Sequence, residues 1–141
     1  MRHRDLPDGR VLLKLLPGEE LVGTLSAFLD ERKVYAGTVT GIGAGKDVEL
    51  GHFDAGTRQY HKVVFPGPVE FVSLMGNVSR VEDGKAFPHL HAVISLKDMS
   101  AAGGHVFRAT IDPTCEVTLV PCADVVERRM DAAKGLKLLD I

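Results

Sequence analysis

Three histidines carry the strongest chemical signal in this chain of 141 residues. His89 and His91 stand in Pro88-His89-Leu90-His91, and His105 follows a glycine pair, Gly103-Gly104. In a strand, alternate side chains share a face, so His89 and His91 point the same way with Cα atoms roughly 6.5–7 Å apart. Two imidazoles so placed can converge on one ion, where each Zn–N bond would be about 2.0–2.1 Å. With His105 as the third ligand the set is a catalytic-type zinc arrangement with an open fourth position, and the same ligands serve other divalent transition metals. H-x-H alone is a weak signal, since surface and core histidines produce it without any metal. A geometric obstacle also stands in the way. If Leu96 and Val106 simply join through a hairpin, His105 falls near Ile94 to Leu96, and the slip leaves it on the order of 15 Å from His89. Closing the cluster then requires the glycine pair to bend the chain, a non-hairpin strand order, or histidines from adjacent subunits.

Other reactive types are weaker candidates. His52 and His61, with a turn at Ala55-Gly56-Thr57 between them, can face each other across adjacent strands. Glu70 opens an apolar run, Glu70-Phe71-Val72-Ser73-Leu74, where burial would raise a carboxyl pKa and suit it to acid/base work. A sheet-edge charge or an inter-subunit ion pair is the plainer role for it. Ser73, Ser79 and Ser95 sit in strand-like runs with no nucleophile elbow. Gly41-Ile42-Gly43-Ala44-Gly45 suggests a phosphate loop, but Lys46 stands where the third glycine of G-x-G-x-x-G belongs, and no strong helix follows. Glycines needing positive φ or close backbone approach explain it better. His3 lies in a polar N-terminus expected to be mobile and receives no role.

The elements that must position these residues read as α+β. Val11 to Leu16 is a first strand, stopped by Pro17-Gly18. Leu21, Val22, Leu25, Phe28 and Leu29 then recur at helical spacing, with Glu19 and Glu20 at the start and Arg32-Lys33 at the end, as the helix dipole favours. From Val34 the texture is β: Val34 to Thr40, Val48 to Phe53, Tyr60 to Phe65, a long or bent Val69 to Val81 with a bulge or kink at Gly76-Asn77, His89 to Leu96, Val106 to Ile111 and Cys115 to Val120. Short turns between many strands require a largely antiparallel, twisted sheet. One main helix and a short C-terminal helix around Val125, Val126, Arg129 and Met130 should flank it. Beyond Gly135 the run Leu136, Leu138, Leu139 and Ile141 fits a docked end better than a solvated one.

Composition bounds the class. The length suits one domain over 1–141, with a core of about 8–121 and a tail of 123–141. There are 17 basic and 19 acidic residues, a formal charge of -2, and no basic run of four or more. That balance disfavours a chain built chiefly to neutralise phosphates. Cys115 and Cys122 form no C-x-x-C pair, and Cys115 reads as a buried thiol. Met1 to Arg10 lacks the apolar stretch of a signal peptide, and no segment approaches the roughly 20 apolar residues of a membrane span. A cytoplasmic protein with no membrane partner is expected.

Taken in order, Arg10 through Gly18, Gly41-Ile42-Gly43, Gly51-His52-Phe53, Tyr60, Glu70 with Leu74-x-Gly76-Asn77, Pro88-His89-Leu90-His91 and Gly103-Gly104-His105 resemble the plants-and-prokaryotes conserved (PPC) domain. The resemblance runs from about residue 8 to residue 121, and its specific part is H-L-H followed by G-G-H. It implies an antiparallel sheet flanked by helix and assembled as a homotrimer. In plants the domain follows AT-hook motifs that enter the minor groove of A·T-rich DNA, whereas prokaryotic members are usually the bare domain. This sequence shows no R-G-R-P hook. Some bare members are similar in using the histidine motif for metal, which maps here onto His89, His91 and His105. Three functions follow as expectations: a trimeric metal-binding protein, with zinc the first choice and a small-molecule or enzymatic role; a DNA-binding or regulatory interaction module; and a structural oligomer whose histidines hold the sheet or the subunit interface.

Overall fold

The computed structural model describes residues 1–141. The elements are β1 (Arg2–Asp5), β2 (Val11–Leu15), α1 (Leu21–Arg32), β3 (Gly37–Asp54), β4 (Gln59–Phe65), β5 (Val69–Arg80), β6 (Ala86–Ser95), β7 (Ala101–Pro121), β8 (Arg128–Asp131) and β9 (Leu136–Leu139). All the sheet pairings are antiparallel. Seven strands run in the order β1-β2-β7-β6-β5-β3-β4, and β3 also pairs with β7, so β7, β6, β5 and β3 close into a ring. β8 and β9 make a separate hairpin.

The helix forms where the apolar spacing places it. Leu21, Leu25, Phe28 and Leu29 are its buried residues, one stripe of a 3.6-residue period. Glu20 precedes the first turn rather than lying in it. It caps the helix by accepting from the Val22 and Gly23 N–H groups, at 3.1 and 2.6 Å. The same carboxylate accepts from Ala109 N–H at 3.2 Å, which ties the helix start to β7. Lys33 ends the helix in the left-handed conformation. The helix packs on β6 and β7, over a core that includes Phe71, Leu74, Leu90, Ile94, Ile111 and Leu119.

The sheet departs from the expected string of short strands at two places. Val34 to Thr40 and Val48 to Phe53 belong to one long strand, β3, which runs through the glycine cluster. Those glycines do not take positive φ; they allow β3 and β7 to cross closely. A Cβ on Gly43 would lie 2.5 Å from Cys115 Cα, and one on Gly45 would lie 2.7 Å from the Thr110 carbonyl oxygen. The ladder shifts register around Gly41–Gly45, which bends the strand without breaking it. Likewise, Val106 to Ile111 and Cys115 to Val120 are parts of the single strand β7. β5 is one strand as expected, but its bulge lies between Phe71 and Ser73, while Gly76 and Asn77 remain in register with Leu90 and His89.

Both termini correct the sequence reading. Arg2–Asp5 is not mobile: it pairs with β2, and His3 stacks on Phe28 at 5.2 Å between ring centroids. The expected C-terminal helix is a hairpin instead. Arg128–Asp131 pairs antiparallel with Leu136–Leu139, with Arg128 buried and Arg129 and Met130 exposed. Asp131 Oδ1 accepts from Ala133 and Lys134 N–H groups at 2.9 and 3.0 Å, and Gly135 takes φ +71°, which closes the turn. Beyond Gly135, Leu136–Leu139 pairs as β9 with β8, with Leu136 and Leu138 half-buried and Ile141 left exposed.

Candidate metal site

β6 alternates buried Pro88, Leu90, Ala92 and Ile94 with outward His89, His91 and Val93. The first set faces the core and helix, so His89 and His91 stand together on the opposite face of the sheet, as their spacing requires. β6 and β7 form a hairpin whose turn, Leu96 to Ser100, is closed by Leu96 N–H donating to Ser100 O at 2.8 Å. The ladder then runs Ser95↔Ala101, Ile94↔Ala102, Val93↔Gly103, Ala92↔Gly104 and His91↔His105. This removes the geometric obstacle. The second strand starts at Ala101, not Val106, so the glycine pair lies within the ladder and delivers His105 opposite His91. All three histidines therefore come from one chain.

One ring nitrogen from each of the three histidines lies within 4.8 Å of the others. Ring centroids are 5.2 Å apart for His89–His91, 5.0 Å for His89–His105 and 5.5 Å for His91–His105. Tetrahedral zinc with bonds near 2.0–2.1 Å needs donor atoms about 3.3–3.4 Å apart. His91, which is exposed, is the ligand with most room to adjust towards that spacing.

His105 and His89 are set by different neighbours. Gly51 pairs with His105, and a Cβ there would lie 2.5 Å from the Phe107 ring and 3.0 Å from Tyr60. The missing side chain lets Phe107 and Tyr60 pack edge to face at 4.9 Å and wall His105, at 4.7 and 5.5 Å. Lys62 Nζ sits 3.6 Å above the Phe107 ring centroid. On the other side, Gly76 brings β5 against β6, since a Cβ there would fall 2.0 Å from the His89 carbonyl oxygen. Asn77 lies opposite His89 in that ladder. Arg128, only 4% exposed, reaches in from β8 and donates at 2.9 Å to Asn77 Oδ1, to His89 Nδ1 and to Ser79 Oγ.

The electrostatics favour neutral imidazoles. Burial, then the Arg128 cation and the other two histidines, push His89 down to about 4. Burial, then His91, Arg128 and Lys62, push His105 down to about 4. A neutral imidazole is the ligand form, so neither ring needs to shed a proton near neutral pH to bind a metal. His105 Nδ1 is buried without a hydrogen-bond partner. Such an orphan costs free energy in a folded protein, and a bound ion would give it a partner. Donor type, convergence and the orphaned nitrogen all fit a divalent transition metal.

The other predicted residues lie elsewhere. Glu70 is exposed rather than buried, and it pairs with Ser95. That is four residues along β6 from His91, roughly 13 Å. His52 and His61 do face each other across β3 and β4, both exposed. Cys115 is the expected buried thiol, and burial pushes it up to about 11. Sequence reasoning missed Arg128, Ser79, Phe107 and the tight position of Gly51. Arg128 was read as part of a helix, where its neighbours Val125, Val126 and Met130 offered no sign of a buried cation.

A closed antiparallel β-ring backed by one helix, with three convergent histidines on its outer face, defines the class. Residues 6–123 match the Plants and Prokaryotes Conserved (PCC) domain model, and the chain belongs to that family. A metal-containing protein from Archaeoglobus fulgidus is 34% identical, with a TM-score of 0.86 over 94% of this chain and 93% of that one. A plant- and prokaryote-conserved protein from Pyrococcus horikoshii is 26% identical, with a TM-score of 0.86 over 94% and 91% of the two chains. A protein from Bacteroides thetaiotaomicron described as a candidate DNA-binding protein is 25% identical, with a TM-score of 0.93 over 99% and 96%. Comparison with curated proteins finds no match.

Proposed function

We propose that this chain is the protomer of a homotrimeric, cytoplasmic metal-binding protein that holds one divalent transition-metal ion, zinc in the first instance, on His89, His91 and His105. The observation that carries the reading is the convergence of three imidazoles, two of them held neutral, with an orphaned nitrogen on His105. A bound ion would supply Lewis acidity at an open fourth position, where a small molecule can approach. The protein's own residues do the positioning: the Phe107 and Tyr60 rings wall one side of His105, and the close β5–β6 ladder at Gly76 and Asn77 places His89. A groove of about 530 Å³, floored by Gly76 and bordered by Thr38, Thr40 and Met75, runs beside His89 and His91. The name of the Archaeoglobus protein supports a metal in a chain of this fold.

Self-association has its own support. Leu12, Ile42, Val72 and Met75 are exposed at 41%, 60%, 57% and 55% and line one groove across the sheet. Exposed apolar groups gathered in this way mark protein interfaces more often than bare surface. Met75 is the ladder partner of His91, so a second copy on this face would border the histidine site.

Metal analysis by mass spectrometry, on untagged protein purified without added metal, tests the assignment beside the His89→Ala/His91→Ala double variant. Near-stoichiometric metal in the parent and none in the variant is expected; no metal in either refutes it. Sedimentation of the same samples tests the trimer. A DNA-binding reading is favoured by the description of the Bacteroides relative. It requires a gel shift with A·T-rich duplex that weakens steeply with salt.

A further inference from the structure

We propose that Arg128 gates the histidine site: the β8–β9 hairpin is a strap that occupies His89, and metal loading and full seating of the strap oppose each other. The inference rests on the reading that His89, His91 and His105 hold a metal ion.

Arg128 belongs to the segment beyond residue 123, where the family model ends. Its guanidinium makes four bonds of 2.9 Å: Nη1 to the Lys137 carbonyl oxygen braces the hairpin itself, while Nε to Ser79 Oγ and Nη2 to both Asn77 Oδ1 and His89 Nδ1 tie it to the sheet. A guanidinium has only donors. His89 Nδ1 must therefore be the acceptor, and the neutral ring carries its proton on Nε2. A metal-bound histidine has the opposite wiring. One nitrogen gives its lone pair to the ion, and the other donates N–H to a carboxylate, carbonyl or water.

The two wirings exclude each other. An ion on Nε2 moves the ring proton to Nδ1, where it faces a guanidinium N–H. An ion on Nδ1 takes the position of Nη2 itself. Either way, Nη2 must leave His89. Neither His91 nor His105 accepts a bond from Arg128, and His105 Nδ1 has no partner at all. The site therefore has two free histidines and one held by the strap.

The strap is built to yield. Its two strands are four residues each and pair only with one another. Apart from Arg128, its seat on the sheet is the Arg80–Glu127 ion pair at 2.6 Å, the Arg80 N–H bond to Val126 O at 2.7 Å, the Val126 N–H bond to Tyr35 O at 3.1 Å and an exposed Met130 N–H bond to Glu82 Oε1 at 3.4 Å. Elements with so few buried contacts open first. Coupling of this kind is reciprocal: whatever the ion takes from the strap, the seated strap takes from the ion's affinity.

Amide hydrogen exchange of the full chain, with and without zinc, reads the strap directly. Zinc should speed exchange in Arg128–Asp131 and Leu136–Leu139 while slowing it in the β6–β7 hairpin. Zinc affinity, measured by competition with a chelator, should rise roughly tenfold or more in Arg128→Leu, the scale on which outer-shell partners act on metal sites. In that variant, hairpin exchange should no longer respond to zinc. If Arg128→Leu does not fold, the exchange data on the parent decide alone. A parent that loads zinc with exchange in the β8–β9 hairpin unchanged or slowed overturns the gate and leaves the metal site standing. Loading by Arg128→Leu but not by the parent supports the gate. No zinc on either removes both readings.

Discussion

Gly76→Ala should damage the histidine site through the backbone rather than through any ligand. The added Cβ would lie 2.0 Å from the His89 carbonyl oxygen and 2.9 Å from its carbonyl carbon, where an ordinary contact begins at 3.4 Å. Neither atom can rotate away, so β5 and β6 must part by about 1.4 Å along that line. Overpacking of this kind costs about 1–3 kcal/mol, and each ladder bond stretched adds about 0.5–1.5 kcal/mol. A total near 2–4 kcal/mol corresponds to a fall in Tm of roughly 6–14 °C for a chain of this size. The displaced segment carries His89 itself, so metal affinity should fall with stability. Gly103→Ala is the control. It lies on β7, on the other side of β6, but its Cβ would meet nothing nearer than the Ala92 carbonyl oxygen at 3.2 Å. Thermal denaturation and chelator competition on both variants decide the matter. Equal, small effects from the two would refute the claim that close approach of β5 and β6 positions His89.

Two further outcomes follow from the site and from the helix. In metal-free protein, His89 and His105 titrate near 4 against an ordinary value of 6.5, so the unfolded chain takes up protons that the folded one refuses. Stability from these groups is complete above about pH 6.5 and is lost as the pH falls towards 4; urea midpoints in the presence of chelator should therefore fall more steeply for the parent than for His89→Gln/His105→Gln, and parallel curves would count against it. Glu20→Ala removes a carboxylate that serves Val22, Gly23 and Ala109 N–H groups, and should cost about 1–2 kcal/mol in a denaturant titration without altering metal content.

The parts of the fold that were legible in the sequence are those governed by local periodicity. The stripe Leu21, Leu25, Phe28 and Leu29 specifies a helix, and the alternation of His89 to Ser95 specifies a strand with both histidines outward. What was not legible depends on atoms distant in sequence. Gly41 to Gly45 looks like a break between strands because glycine weakens strands locally. Only the approach of Thr110 and Cys115 shows that the same residues keep β3 continuous. The tail failed for a related reason. Val125 to Met130 carries a short apolar pattern compatible with a helix, and the partners that draw Arg128 inward, Asn77, Ser79 and His89, lie about 40 to 50 residues earlier.

The division within the site is of the same kind. Its three candidate ligands come from one hairpin, β6–β7, and that is why their types and spacing could be read from about 17 consecutive positions. Ligand identity is therefore a local property of the chain. The groups that tune those ligands come from four other elements: Asn77 from β5, Gly51 from β3, Tyr60 from β4 and Arg128 from β8. Each acts by close packing or by a hydrogen bond that exists only when the ring of strands has closed. A sequence that keeps the three histidines but fills the place of Gly51 or Gly76 would still present the motif, yet its rings would not converge. The motif names the donors; the glycines and Arg128 decide whether those donors make a site.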